Sequence, residues 1–348
     1  MTANAGLLDQ RLALEWIRKN IHLFGGDPSR VTVMGESAGA GSIMHHITSY
    51  GGKGSLPFQQ AIPQSPAFQP TVPAQSKTFF EQVVGNASLV TISPITSAND
   101  LRRLPFDALY ATNTFVTASS SYGEFTFGPV VDPVIDSYVP DFPLRLLGQG
   151  LYHHNVSIVV GHNQQEGLLF TPPFIQTDAE FKAAESGIFP TANASLIDYI
   201  SEVLYPPVFN GTYGYKTQIG RTNVTIADFT IHCNAHLLAS TLAGAYAYLF
   251  TVPPGLHAVD IPYTFFNGDT STLNQGRPVD AEVAKSFQRY LVNFVMTGKP
   301  TSKGLQPFVE YGSNDTVANI DATDLGMQIR DPAARSQCKF WQAAPYYQ

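Results

Sequence analysis

Five residues constrain this chain more than any others: Gly35-Glu36-Ser37-Ala38-Gly39, entered from Val31–Met34 and left through Ala40–His46. Val31–Met34 reads as a short strand and Ala40–His46 as a helix. A serine between strand and helix, with glycine two residues away on each side, is the sequence form of a tight strand-to-helix elbow. The elbow puts Ser37 at a strained position, so its neighbours at 35 and 39 need to be small. The helix that follows aims its N-terminal N–H groups and its dipole at the same point. Ser37 is therefore a candidate nucleophile, and the N–H of Ala38 a candidate donor to an oxyanion.

The rest of the chain alternates strands with helices. Leu8, Leu12 and Trp16 repeat at helical spacing, widened by Leu14, Ile17 and Ile21, before Gly25-Gly26 stops the helix. Strands are predicted at Ala61–Gln64, Val156–Gly161, Ala245–Val252 and Thr316–Ile320. Helices are predicted at Lys77–Val84, around Leu101–Leu109, and over Asp178–Glu185, Leu196–Leu204, Ile226–Leu242, Asp280–Met296 and Pro332–Trp341. That order predicts an α/β protein with a mainly parallel central sheet flanked by helices. No repeat or linker divides the 348 residues, so one domain over 1–348 is expected.

Composition narrows the function. The net charge of −7 argues against a nucleic-acid partner and against an anionic membrane surface. The uncharged stretch between Asp228 and Asp260 is broken by polar residues and Pro253-Pro254, and reads as helix then strand, not as a membrane span. No metal or cofactor is expected. His232 and His236 stand four apart on a helix, but Cys233-Asn234-Ala235 between them lacks the glutamate of a helical zinc motif.

Elbow chemistry follows the chain order serine, acid, histidine. His22, His45 and His46 come too early, and His153, His154 and His162 flank the third strand. His257 lies on a loop after the fourth strand, but position alone leaves it open between base and ordinary loop histidine. Glu166 follows the third strand in His162-Asn163-Gln164-Gln165-Glu166-Gly167, where Gly167 permits a tight turn. It too reads equally as a helix-start glutamate favoured by the dipole.

Several stretches together resemble the type-B carboxylesterase and lipase family of the α/β-hydrolase fold, which includes fungal lipases, cholinesterases and neuroligins. GLLDQRLALEWIRKNIHLFGGDPSRVTVMGESAGAGS is similar to that family's helix, strand and elbow. GHNQQEG is similar to its acid loop, with Gln165 where aspartate is usual, and GLHAVDIPYTF to its histidine segment. The resemblance implies an α/β-hydrolase fold and a serine ester hydrolase with Ser37 as nucleophile, Glu166 as acid and His257 as base. It also implies a supporting shell of Glu36, Ser65 and Asp260, and a disulfide between Cys233 and Cys338. The substrate is expected to be a small-molecule or lipid ester. A non-catalytic neuroligin-like binding protein, or an inactive fragment of an esterase, is the alternative.

Six N-x-[ST] sequons begin at Asn86, Asn155, Asn193, Asn210, Asn223 and Asn314, an excess over chance. With the cysteine pair they imply a secreted glycoprotein. Only 36 residues precede Ser37. The family places a signal peptide, several strands and an H-G-G-G oxyanion segment there. The chain is thus expected to be the C-terminal two-thirds of an enzyme, with a fold incomplete at the N-terminus.

Overall fold

The structure is a computed structural model describing residues 3–347, except 70, 121, 123, 124, 135, 270, 272, 275 and 276. Helix α1 spans Ala5–Asn20, strand β1 Thr32–Glu36, α2 Ala38–Ile47 and β2 Gln60–Gln64. Helices α3 (Pro73–Thr91) and α4 (Phe106–Ala118) precede β3 (Ser157–Asn163) and α5 (Asp178–Ile188). Then come α6 (Gln218–Ala227), α7 (Cys233–Thr241), β4 (Tyr246–Phe250), α8 (Ala281–Thr297), β5 (Thr316–Ile320), β6 (Met327–Arg330) and α9 (Gln337–Ala343), with shorter helical turns between.

These six strands form the main sheet in sequence order, β1-β2-β3-β4-β5-β6, and the two-residue strands Leu273–Asn274 and Arg277–Pro278 pair separately. The first five pair in parallel and β6 runs antiparallel to β5. Side chains alternate across the sheet because the strand period is two. Ile158, Val160, Ala247, Leu249 and Val317 enter the core shared with Met44 and Ile47 of α2 and Leu238 of α7. Val159, Tyr248, Phe250, Ala318 and Ile320 enter the opposite core, with Phe287, Tyr290 and Phe294 of α8. Both faces of the central strands are covered, which is why they read as continuous apolar runs.

Three expectations need correction. The stripe Leu8, Leu12, Trp16 marks the helix correctly, but only its Leu8 end faces inward: Leu12 and Trp16 are 67% and 53% exposed. The inward side carries Leu7, packed with Leu8 against Tyr138 and Val139. The long helix begins at Gln218, eight residues before the predicted Ile226, and crosses a π-helical turn at Asp228–His232 before α7. Its start was hidden because Arg221, Thr222 and Thr225 are polar yet buried. Strand β6 was not predicted, because its four residues are only half-buried or exposed.

The disulfide Cys233–Cys338 joins the start of α7 to α9, across 105 residues. Beside it Trp341 is fully buried against Phe189 and Phe229, and its Nε1 donates to Tyr205 Oη at 2.8 Å.

Candidate active site

The strand register places the site. Glu36 pairs with Gln64 across β1 and β2, and each is followed directly by a serine, Ser37 and Ser65. The β3–β4 pairing continues past the strands: Gln164 N–H donates to the Phe250 oxygen at 3.1 Å and Gln165 N–H to the Gly255 oxygen at 2.7 Å. Gln165 bridges to Leu256, and the next residues are Glu166 and His257. Ser37 and Ser65 therefore leave the sheet side by side, as do Glu166 and His257, and all four lie at the same end of the sheet.

The elbow is strained as its sequence predicts. Ser37 has φ 56° and ψ −120°, and Ser65 also has a positive φ. Ser37 N–H donates to the Gln64 oxygen at 2.9 Å, and its own carbonyl accepts from Ala67 N–H at 3.1 Å, so β2 and its continuation hold the turn. A Cβ on Gly35 would lie 2.6 Å from the Gly39 carbonyl carbon, which excludes any side chain there. At Gly39 the space is open: a Cβ would meet nothing within 4 Å. The expected need for a small residue thus holds at position 35 and not at 39. Ala38 opens α2, where the first N–H groups have no partner within the helix.

Ser37 Oγ lies 2.8 Å from His257 Nε2, and His257 Nδ1 lies 2.6 Å from Glu166 Oε2. Glu166 and His257 are both buried. Burial alone would raise the Glu166 pKa, but the hydrogen bond and charge of His257, the charge of His232 and the Ser65 hydrogen bond hold it below the ordinary value. Burial alone would lower the His257 pKa; the hydrogen bond and charge of Glu166, then the charges of Glu36 and Asp260, raise it instead. By contrast, burial drives His45 and His46 down to about 4.

The expected supporting residues all lie close by. Ser65 Oγ donates to Glu166 Oε1 at 2.6 Å. Glu36 Oε1 lies 3.2 Å from His257 Nε2, and burial, with the charges of Asp260 and Glu166, pushes its pKa up to about 7 against the pull of His257. Asp260 does not touch the histidine ring's acid partner directly. Its Oδ2 accepts from Tyr248 Oη at 2.7 Å and Gln64 Nε2 at 3.1 Å, and its Oδ1 from Asn163 Nδ2 at 3.3 Å. Tyr248 reaches this point by lying across Gly161, where a Cβ would fall 1.9 Å from the ring.

Sequence reasoning missed Gln64, Asn163 and Tyr248. Asn163 N–H donates to Glu166 Oε1 at 2.5 Å, and its Nδ2 reaches Ser65 Oγ at 3.1 Å. The asparagine stood in the acid-loop motif, but motif position alone does not say which groups it bonds. Beside Ser37 a cavity of about 160 Å³ is lined by Ala38, Ala67, Phe68, Phe125 and Phe127.

His232 and His236 do not converge. His236 Nδ1 meets Tyr311 Oη at 2.7 Å, whereas His232 faces Asp228 and Asn163. Among the described residues no group of three or more His, Cys, Asp or Glu could hold a metal ion, and no helix is long and apolar enough to cross a membrane. One sequon is inaccessible: Asn223 lies buried in α6 with its Nδ2 on Gln165 Oε1 at 2.9 Å.

A sequence profile of the carboxylesterase family matches residues 1–341. The chain is 39% identical over 343 residues to carboxylesterase patB of Aspergillus clavatus, covering 97% of this chain and 59% of that protein. It is 29% identical to the secreted lipase ARB07186/07185 of Arthroderma benhamiae, covering 97% of this chain and 66% of the lipase. The crystal structure of Aspergillus niger EstA superposes with a TM-score of 0.80 at 24% identity, over 98% of this chain and 69% of that one. That likeness shows the α/β-hydrolase fold. The chain spans about three-fifths of the length of the curated carboxylesterase it matches.

Proposed function

We propose that this chain, which belongs to the carboxylesterase family, carries the site of a serine carboxylic-ester hydrolase working through Ser37, His257 and Glu166. The observation that carries this reading is the continuous relay from Ser37 Oγ through both nitrogens of His257 to Glu166 Oε2, at 2.8 and 2.6 Å.

His257 Nε2 takes the Ser37 proton as Oγ attacks the ester carbonyl carbon. Glu166, ionised and buried, fixes the ring so that Nδ1 carries hydrogen and Nε2 accepts, and it stabilises the imidazolium that forms. The Ala38 N–H, at the start of α2, donates to the oxyanion. The imidazolium then protonates the leaving alcohol as the C–O bond breaks, giving an acyl-serine. Water, deprotonated by the same nitrogen, releases the acid and restores Ser37. Glu36 beside Nε2, when ionised, adds negative charge where the imidazolium forms. The largely apolar cavity beside Ser37 suits the acyl group of a small-molecule or lipid ester.

We also read residues 1–348 as one domain and the chain as one that passes through the secretory route. The disulfide, the exposed sequons at Asn155, Asn193, Asn210 and Asn314, and a secreted lipase among its relatives support that reading.

A fluorophosphonate probe tests the function. It is expected to label Ser37, and Ser37→Ala is expected to abolish labelling. Labelling that survives in the alanine variant, or no labelling of the wild-type chain, overturns the reading.

A further inference from the structure

We propose that His162 and His232 are positioning residues of this site: two ring N–H groups converge on the main-chain oxygen of Asn163 and fix the residue that holds Glu166. The inference rests on the serine-hydrolase reading above.

His162 Nδ1 lies 3.2 Å and His232 Nε2 3.3 Å from the Asn163 carbonyl oxygen. A carbonyl oxygen only accepts, so both of these nitrogens carry hydrogen. The far side of each ring faces a carboxylate. His162 Nε2 is 3.0 Å from Asp331 Oδ1, and His232 Nδ1 is 3.3 Å from Asp228 Oδ1. The carboxylates are held in turn: Tyr311 Oη donates to Asp331 Oδ2 at 2.8 Å, and Tyr205 Oη to Asp228 Oδ2 at 2.9 Å. The two imidazoles meet edge to face with centroids 4.8 Å apart. Both imidazoles, both carboxylates and both tyrosines are buried.

His162 has a carboxylate at one nitrogen and a carbonyl at the other, two acceptors, which favours hydrogen on both of its nitrogens. Burial opposes that charge, and the Asp331 charge and hydrogen bond overcome it, so the His162 pKa lies above the ordinary value. Burying an ion pair offers little net stability, so stability alone is a weak reason for this arrangement. What it does fix is one carbonyl, and that carbonyl belongs to the residue whose N–H and side-chain amide grip Glu166 Oε1. Released from the two rings, the Asn163 carbonyl loses both donors at the very end of β3, and the peptide that carries the grip on Glu166 is held less tightly in its alignment to His257. A displacement near 1 Å at such a site costs on the order of 100-fold in rate.

Crossed amide substitutions separate positioning from bulk. Asparagine places its amide nitrogen near the position of a histidine Nδ1, and glutamine near Nε2. His162→Asn and His232→Gln therefore keep a donor to the Asn163 oxygen, whereas His162→Gln and His232→Asn remove it. The full chain is assayed for its rate of fluorophosphonate labelling at Ser37. The same proteins are examined by proton NMR for the far-downfield signal of the His257 Nδ1–H···Glu166 hydrogen bond.

The matched variants are expected to label within about threefold of wild type and to keep the signal. The mismatched ones are expected to label at least about tenfold more slowly, with the signal moved or lost. Equal rates and signals within each pair overturn the proposal, as do rates that follow the thermal midpoint rather than the matching. If one residue's variants do not fold, the other pair decides. If wild-type Ser37 is not labelled, the hydrolase reading fails, and the NMR signal still decides the positioning of Glu166.

Discussion

Ser65 and His257 occupy different oxygens of the same carboxylate: Ser65 Oγ donates to Glu166 Oε1 at 2.6 Å, and His257 Nδ1 meets Oε2 at 2.6 Å. The carboxylate is thus held on one side while it orients the imidazole on the other. Removing the serine hydroxyl leaves Oε1 to Asn163 alone. A hydrogen bond to a charged group contributes about 1.5–3 kcal/mol. Ser65→Ala is accordingly expected to slow fluorophosphonate labelling of Ser37 by about tenfold or more, and an unchanged rate would remove Ser65 from the site.

The two elbow glycines are expected to behave oppositely. Gly35→Ala drives a methyl into the Gly39 backbone and should cost several kcal/mol, with loss of labelling. Gly39→Ala meets open space on a helix and is expected to be neutral or stabilising by up to about 1 kcal/mol. Thermal midpoints of the two variants check this; equal destabilisation by both contradicts it.

The disulfide closes a loop of 105 residues. The chain-entropy model assigns about 4.7 kcal/mol to a loop near that size. Replacing both cysteines by alanine is expected to lower the thermal midpoint by several degrees or more. A midpoint unmoved by the replacement shows that the bridge adds no stability.

Glu185, fully buried on α5, has one carboxyl oxygen without a hydrogen-bond partner. Burial pushes its pKa up to about 8, against the opposing charge of Arg221. A raised folded-state pKa means that the native state holds the proton more tightly than the unfolded chain. Stability from this residue is complete below the unfolded value near 4.5 and is lost as pH rises through about 8. Glu185→Gln keeps the shape without the charge. Its midpoint advantage over wild type is expected to be absent at pH 4, to grow up to pH 8 and then to level. An advantage independent of pH would place the effect elsewhere.

The sequence made the strands and the elbow legible because each leaves a local mark, a β-branched run or paired glycines, whereas Glu166 and His257 were singled out only by the family resemblance, their local surroundings leaving both open. The polar scaffold was not legible. Arg221 and Asn223 begin α6 with the residues of a surface loop, and only the fold shows that they are buried. Strand β6 lacks an apolar face because it covers a margin of the sheet. The roles of Asn163 and Tyr248 depend on which neighbour lies across the sheet, which is a property of register and not of any window of sequence. Trp16 shows a further limit: its spacing places the helix, yet does not say that Trp16 and Leu12 lie exposed while Leu8 packs inward.

The register of the sheet bears on how the site behaves under thermal motion. Ser37 and Ser65 follow one paired position, and Glu166 and His257 follow one bridged position, at the same end of adjacent strands. When the sheet twists or flexes as a body, all four side chains are carried together, and their separations change far less than their absolute positions. The Ser37–His257 contact therefore joins two strand pairs, β1–β2 and β3–β4, and slippage of β2 against β3, which the hydrogen-bond ladder between them opposes, is the motion that parts nucleophile from base.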